Sequence, residues 1–418
     1  MSTTQHVPCP SQQYVRPPRA VRRAAVAVVA AAAAVSLVFP AIAEAKPGRQ
    51  VRELTMSGIV TDGTDRANRV GPRDDGTVMV VTPGTDDGNL GERIKRTVGQ
   101  RQTLIVAYPE SLWPFVGGKS SPVPPLADTY DTSKRIAINR NLAVMRKLAG
   151  AGMQVIYTGY SQGADALGNA TEKAVAQGID LSDSKIVLAA DVRGPWGIKA
   201  AAETIPGAPA VVKRFGITPD GARDPERSSG ADVTSTIIVG DPASNFQWQP
   251  RRPLESILVN GAGFITIHTG WGAQTYGNLD ALGSPTELRS VDGTTRYQVY
   301  DARHPLALLR QMVHDRTGLP YTRADLKRWD AEGERFFATE APSVRNSAVP
   351  VTEVSAPPHE QKQVVQKRTK AARTTKRPRA AKVRVPRPSA DPGGQLLRSI
   401  TVTMEDLVRG GRSPRAGR

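Results

Sequence analysis

The 418-residue sequence predicts an α/β fold, a mostly parallel sheet with helices on both faces. Three observations point there. Short apolar, β-branched runs recur along the chain and alternate with helical patterns. One of them runs into Gly159-Tyr160-Ser161-Gln162-Gly163, a strand-turn-helix signature with a serine at the turn. The carboxylates and histidines that could serve that serine follow other strand ends, where open α/β sheets gather their functional groups.

Taken in order, residues 46–75 are polar and rich in Gly, Arg and Asp, and read as a mobile lead-in. Thr77-Val78-Met79-Val80-Val81 is the first buried-strand pattern and ends in the turn-forming run Thr82–Gly88. Thr103–Tyr108 is a second strand, closed by Pro109, and residues 110–128 are a proline-rich loop. Ser133 to Ala149 reads as an amphipathic helix, with Ile138, Leu142 and Met145 on one face. Met153–Thr158 is the strand before the serine, and Ala164–Ala174 is the helix after it. Lys185–Ala190, Thr234–Val239 and Arg296–Tyr300 complete the strands, ending at Asp191, Asp241 and Asp301. Residues 196–233 fit this alternation poorly and read as an insertion, a lid over the site.

The net charge of +17 is concentrated at the ends of the chain. Residues 351–418 hold 16 Lys/Arg against 5 Asp/Glu, and residues 1–45 hold four Arg against one Glu. That leaves a core near neutrality, which argues against a nucleic-acid-binding core. Residues 1–45 read as an export signal: Arg16, Arg19, Arg22 and Arg23 precede an uncharged Ala/Val run and A-x-A sites at Ala41–Ala45. An uncleaved N-terminal anchor is the alternative. Either places the core outside the cytoplasm, secreted or associated with the envelope. The single cysteine, Cys9, precedes the apolar run, so the core has no disulfide, thiol nucleophile or cysteine metal site. Residues 345–418 form a basic, low-complexity tail, expected to be disordered. It is suited to contact with an anionic membrane or cell-wall surface.

A serine on a sharp βα turn presents its hydroxyl above the sheet, but it needs a base, and the base needs an orienting carboxylate. Ser161 is the candidate nucleophile. His304 is the first choice of base, because it follows a strand end and keeps the order Ser, Asp, His. His268 is the alternative, and His314 lies within a helical pattern. Asp241 is the first choice of acid, with Asp191 the alternative and Asp301 behind it. The amide of Gln162 and the loop Gly84-Thr85 are candidate oxyanion donors. No metal-binding spacing, P-loop or dinucleotide fingerprint is present, so no metal or cofactor is expected.

The blocks Gly159-Tyr160-Ser161-Gln162-Gly163-Ala164, Tyr108-Pro109, Gly240-Asp241-Pro242 and Arg303-His304-Pro305-Leu306 resemble the PE-PPE domain family. That family comprises serine α/β-hydrolases of mycobacteria and related actinobacteria, and the resemblance covers roughly residues 76–325. It implies an α/β-hydrolase-like fold with Ser161, Asp241 and His304 as nucleophile, acid and base. It also implies an esterase or lipase on acyl esters of envelope lipids, or an acyltransferase onto trehalose-type glycolipids. The export segment in place of preceding helical modules looks more like the envelope acyltransferase branch. In the family's Asp block an aromatic residue more often precedes the proline, whereas here Asp241 meets Pro242 directly. From another class, a non-catalytic envelope-binding protein acting through its basic tail is a third expectation.

Overall fold

The computed structural model describes residues 48–63, 76–87, 90 and 101–354. The export segment (with His6 and Cys9) and the chain from 355 (with His359) lie outside the described residues. The expectations of export, anchoring and tail disorder fall there.

The nucleophile strand is β4 (Val155–Tyr160), and the helix after it is α3 (Gln162–Ala176). β4 is the fourth strand of a nine-stranded sheet among the described residues. On one side lie β2 (Val78–Thr82), β3 (Gln102–Val106) and the edge strand β1 (Val60–Asp62). On the other lie β5 (Ser184–Ala189), β6 (Asp232–Ile238), β8 (Thr295–Tyr300), β7 (Thr286–Ser290) and β9 (Val351–Glu353). The six strands from β3 to β8 in this order are mutually parallel; β1, β7 and β9 pair antiparallel at the margins. The register sets Thr82 beside Gly159, Tyr160 beside Ala189, and Ile238 beside Tyr300. The loops after β2, β4 and β6 therefore emerge at one edge.

Helices cover both faces, as the sequence predicts. On one face, α1 (Gly48–Met56), α2 (Tyr130–Leu148) and α3 bring Leu54, Ile138, Leu142, Met145 and Leu167 against Val78, Val80, Leu104, Tyr157 and Ile186. Each of these side chains contributes roughly 1.5–3 kcal/mol by leaving water. On the other face, α7 (Pro305–Thr317) supplies Leu308, which packs with Ile238, Ile267 and Tyr276. α6 (Pro253–Gly263) lies between β6 and β8 in the chain, and α8 (Arg323–Phe336) follows α7.

Three segments depart from expectation. Residues 48–62 are no loose lead-in: Val51 and Leu54 of α1 are buried, and β1 pairs with β3. The tail does not begin at 345, because β9 pairs with β7 and the Trp196 indole donates to Ser343 O and Asn346 Oδ1. Residues 196–233 form α4 (Ile198–Thr204), α5 (Ala208–Arg214) and a 3₁₀ turn (Pro225–Ser228). This segment is tied to α3 by buried ion pairs from Lys199 and Arg223.

Candidate active site

Ser161 has φ 55° and ψ −120°, a backbone state costing an L residue of order 1–3 kcal/mol. Its neighbours make that turn possible. A Cβ on Gly159 would fall 2.6 Å from Gly163 O, and one on Gly163 would fall 2.1 Å from Pro83 O. Both glycines are thus required by close backbone approach, which is the physical content of the G-x-S-x-G pattern. Ser161 N donates to Ala189 O at 3.1 Å, fixing the elbow to β5.

His268 Nε2 lies 2.9 Å from Ser161 Oγ, and His268 Nδ1 lies 3.0 Å from Asp241 Oδ1. His268 ends a single π-helical turn, Phe264–His268, that continues α6. Such turns displace a side chain from the regular helical face and recur at functional sites. The imidazole is held between Phe264 and Tyr160, with ring centroids 5.0 and 5.2 Å away and both near parallel. The Tyr160 hydroxyl donates to His268 O.

Asp241 is fully buried, yet its carboxylate is well provided with donors. Oδ1 accepts from Ala243 N at 3.1 Å as well as facing His268. Oδ2 accepts from the Tyr276 hydroxyl at 2.7 Å and the Ser244 hydroxyl at 3.3 Å. Burial, with the charge of Asp241 beside it, pushes the Tyr276 hydroxyl well above the usual phenol range, so it remains a donor. The carboxylate thus accepts from the Nδ1 side, leaving Nε2 free to accept the serine proton.

The oxyanion candidates lie at the start of α3 and in the loop after β2. Gln162 begins α3, where first-turn amides lack intrahelical partners. Gly84 packs on the elbow: a Cβ there would lie 3.3 Å from Ser161 Cβ. The Gly84 amide donates to Asp87 Oδ2 at 3.3 Å, a long bond, and Thr85 is the next amide in the loop. Tyr108 steadies this loop through a 2.5 Å bond from its hydroxyl to Pro83 O. The Gln162 side chain braces the loop after β3 instead. Its Nε2 donates to Ser111 O and Tyr130 O, and its Oε1 accepts from the Ser133 hydroxyl.

His304 is not part of this cluster. It caps α7, where its Nδ1 accepts from Leu306 N at 3.2 Å and its Nε2 donates to Phe337 O at 2.9 Å. Gly333 of α8 leaves room for the ring, since a Cβ there would lie 2.3 Å from Nδ1. Burial lowers its pKa, in keeping with a neutral ring bonded through both nitrogens. Asp191 is also engaged elsewhere, with Arg223 Nε at 3.1 Å and Arg193 N at 3.1 Å. Asp301 is exposed in a loop, and His314 on α7 packs against Trp329. The order Ser, Asp, His is satisfied by both His268 and His304, so the pattern could not separate them. Tyr276 and Ser244 carry no sequence signal. Among the described residues no His/Cys/Asp/Glu group is arranged to hold a metal ion.

The parallel sheet, the strained serine between β4 and α3, and the groups gathered beyond the strand ends define an α/β-hydrolase fold. The PE-PPE domain family model matches residues 99–326, more than half the chain, and the protein belongs to that family. Solved structures are similar at a distance. The Thermus thermophilus protein TT1662 is 14% identical, with 62% of this chain and 91% of that chain covered and a TM-score of 0.29. The Pyrococcus furiosus esterase PF2001 is 12% identical, covering 61% and 82% with a TM-score of 0.28. A lipase-esterase related protein from Clostridium acetobutylicum is 10% identical, covering 60% and 96% with a TM-score of 0.25. Likeness at these scores bears on neither activity nor substrate. No curated protein matches the sequence.

Proposed function

We propose that the protein is an exported serine ester hydrolase acting on acyl esters of cell-envelope lipids, with Ser161, His268 and Asp241 as nucleophile, base and acid. The observation that carries this is the continuous line from Ser161 Oγ through His268 to the buried Asp241, with contacts of 2.9 and 3.0 Å. Family membership supports the class of chemistry. Ser161 Oγ attacks the ester carbonyl while Nε2 takes its proton. The amides of Gln162 and the Gly84-Thr85 loop hold the oxyanion. As the tetrahedral intermediate collapses, the C–O bond to the alcohol breaks and His268 returns the proton to it. Water, deprotonated by His268, then releases the acid from the acyl-enzyme.

The same acyl-enzyme would serve transfer to a sugar hydroxyl, since only the second nucleophile differs. The test is a serine-directed fluorophosphonate followed by product analysis. The full chain is expected to label at Ser161, and an acyl-ester lipid offered with trehalose to yield free fatty acid. Acyl-trehalose as the main product would move the assignment to acyltransferase. Absence of labelling in folded protein would favour a non-catalytic envelope-binding protein. Export through residues 1–45, and surface contact through the basic tail, belong to the same proposal. Among the described residues no helix is long and apolar enough to cross a membrane. Fractionation of the full chain and of a chain lacking residues 355–418 tests the tail, and unchanged partitioning would exclude it from surface contact.

A further inference from the structure

Two exposed apolar lobes flank Ser161 at the edge where the parallel strands end. The first is built on α6 and its π turn. Leu254, Ile257 and Phe264 are 72%, 61% and 50% exposed. Their spacing places them along one side of the helix. The row ends on the candidate base, because Phe264 stacks on His268. The second lobe joins the loop after β3 to α5. Phe115, Val123, Leu126 and Val211 are 56%, 48%, 77% and 57% exposed. Phe115 meets Phe215 at 5.2 Å, which holds loop and helix together. This loop borders the elbow, since Ser111 O accepts from the Gln162 side chain.

Exposed apolar side chains grouped around a site mark a surface that something else covers. The charges on the lobes say what. Residues 110–128, 208–215 and 249–264 contain Lys119, Lys213, Arg214, Arg251 and Arg252 against the carboxylates Glu110, Asp128 and Glu255. Arg252 pairs with Glu255, and Lys119 pairs with Glu110 at the loop's start. Lys213, Arg214 and Arg251 are exposed. A neutral core therefore turns an apolar and cationic rim outward at its site. An anionic bilayer surface matches both features, with headgroups for the cations and the acyl boundary for the apolar tips.

We propose that these two lobes dock on an anionic lipid surface and bring Ser161 to esters held within it. This rests on the reading of Ser161 as an ester-cleaving nucleophile. The substitutions Leu254→Ser and Ile257→Ser, made together in the full chain, remove apolar area without touching Ser161, His268 or Asp241. The N-terminal segment and the basic tail are the same in variant and parent, so the difference between them reports the lobe alone. Two substrates are compared, a water-soluble short-chain p-nitrophenyl ester and a fluorogenic ester lipid in phosphatidylglycerol vesicles. The double variant is expected to keep kcat/KM on the soluble ester and to lose about tenfold or more on the vesicle ester. A parallel loss is expected when the parent meets phosphatidylcholine vesicles. An unchanged vesicle rate in a double variant with parental Tm would overturn the docking surface. A parent that binds the vesicles but turns over neither ester would overturn the catalytic assignment instead, leaving the docking surface supported by the loss of vesicle binding in the variant.

Discussion

At the scale of single residues, the site depends on which groups lie against the imidazole of His268. Tyr276 donates to Asp241 Oδ2 and is held in place by accepting from Ile238 N at 3.2 Å. Replacing it by Phe keeps the ring and deletes the donor. A hydrogen bond to a charged group contributes about 1.5–3 kcal/mol, so Tyr276→Phe is expected to lower kcat by about tenfold to a hundredfold. An unchanged kcat with lowered Tm would assign Tyr276 a structural role only. His304 gives a second expectation. Its folded pKa lies below its ordinary value of 6.5, because burial disfavours the charged ring. The stability it contributes is present above pH 6.5 and is lost as pH falls toward the folded value. His304→Asn preserves an N-cap but cannot titrate, so its Tm should fall less steeply below pH 6.5 than the parent's. Ser161 and Asp241 were legible as site candidates because strand ends mark such positions. The choice of histidine was not, because a π turn and the rings of Phe264 and Tyr160 decide it.

At the scale of elements, α3 carries the nucleophile and is fastened by an ion network. Asp165, fully buried in its first turn, accepts from Lys199 Nζ at 2.8 Å, and Lys134 Nζ lies 3.3 Å away. Arg223 bridges Asp191 and Glu172 at 3.1 and 2.7 Å. Burial alone would raise the Asp165 pKa, but Lys199, Lys134 and Arg223 outweigh it and hold the carboxyl well below its usual range. Asp165→Asn strands buried cations and is expected to cost about 3–5 kcal/mol in denaturant unfolding. A loss under about 1 kcal/mol would show that the network does not fasten the helix. Strands β2, β4, β5 and β6 were legible as apolar, β-branched runs: β2 is buried throughout and β6 over most of its length, while β4 and β5 bury one face and half-bury most of the other. β7, with the sequence Thr-Glu-Leu-Arg-Ser, and the three-residue β9 were not. They are polar, lie at the sheet margin and bury few side chains. The segment 196–233 read as a lid because its anchors, Lys199, Asp220 and Arg223, are charged residues whose partners are distant in sequence.

At the scale of the whole molecule, the folded unit runs past the point where composition turns to a basic tail. β9 pairs with β7, and Ala348 N donates to Pro195 O at 3.1 Å. A chain ending at residue 344 should be less stable than one ending at 356 by about 1–3 kcal/mol, the worth of a few backbone bonds. Equal Tm values would return residues 345–354 to the tail. The composition located the charge asymmetry between core and ends, and the family resemblance located the fold. Neither could say which strand-end groups converge, because that depends on how the π turn after α6 brings His268 to the elbow. This convergence can be tested by fluorophosphonate labelling of the full chain beside Ser161→Ala, His268→Ala and His304→Asn. Labelling is expected to disappear in Ser161→Ala, to fall by about 10³-fold or more in His268→Ala, and to stay near the parental rate in His304→Asn. Rapid labelling of His268→Ala, with loss in a folded His304→Asn, would contradict the assignment of His268 as the base.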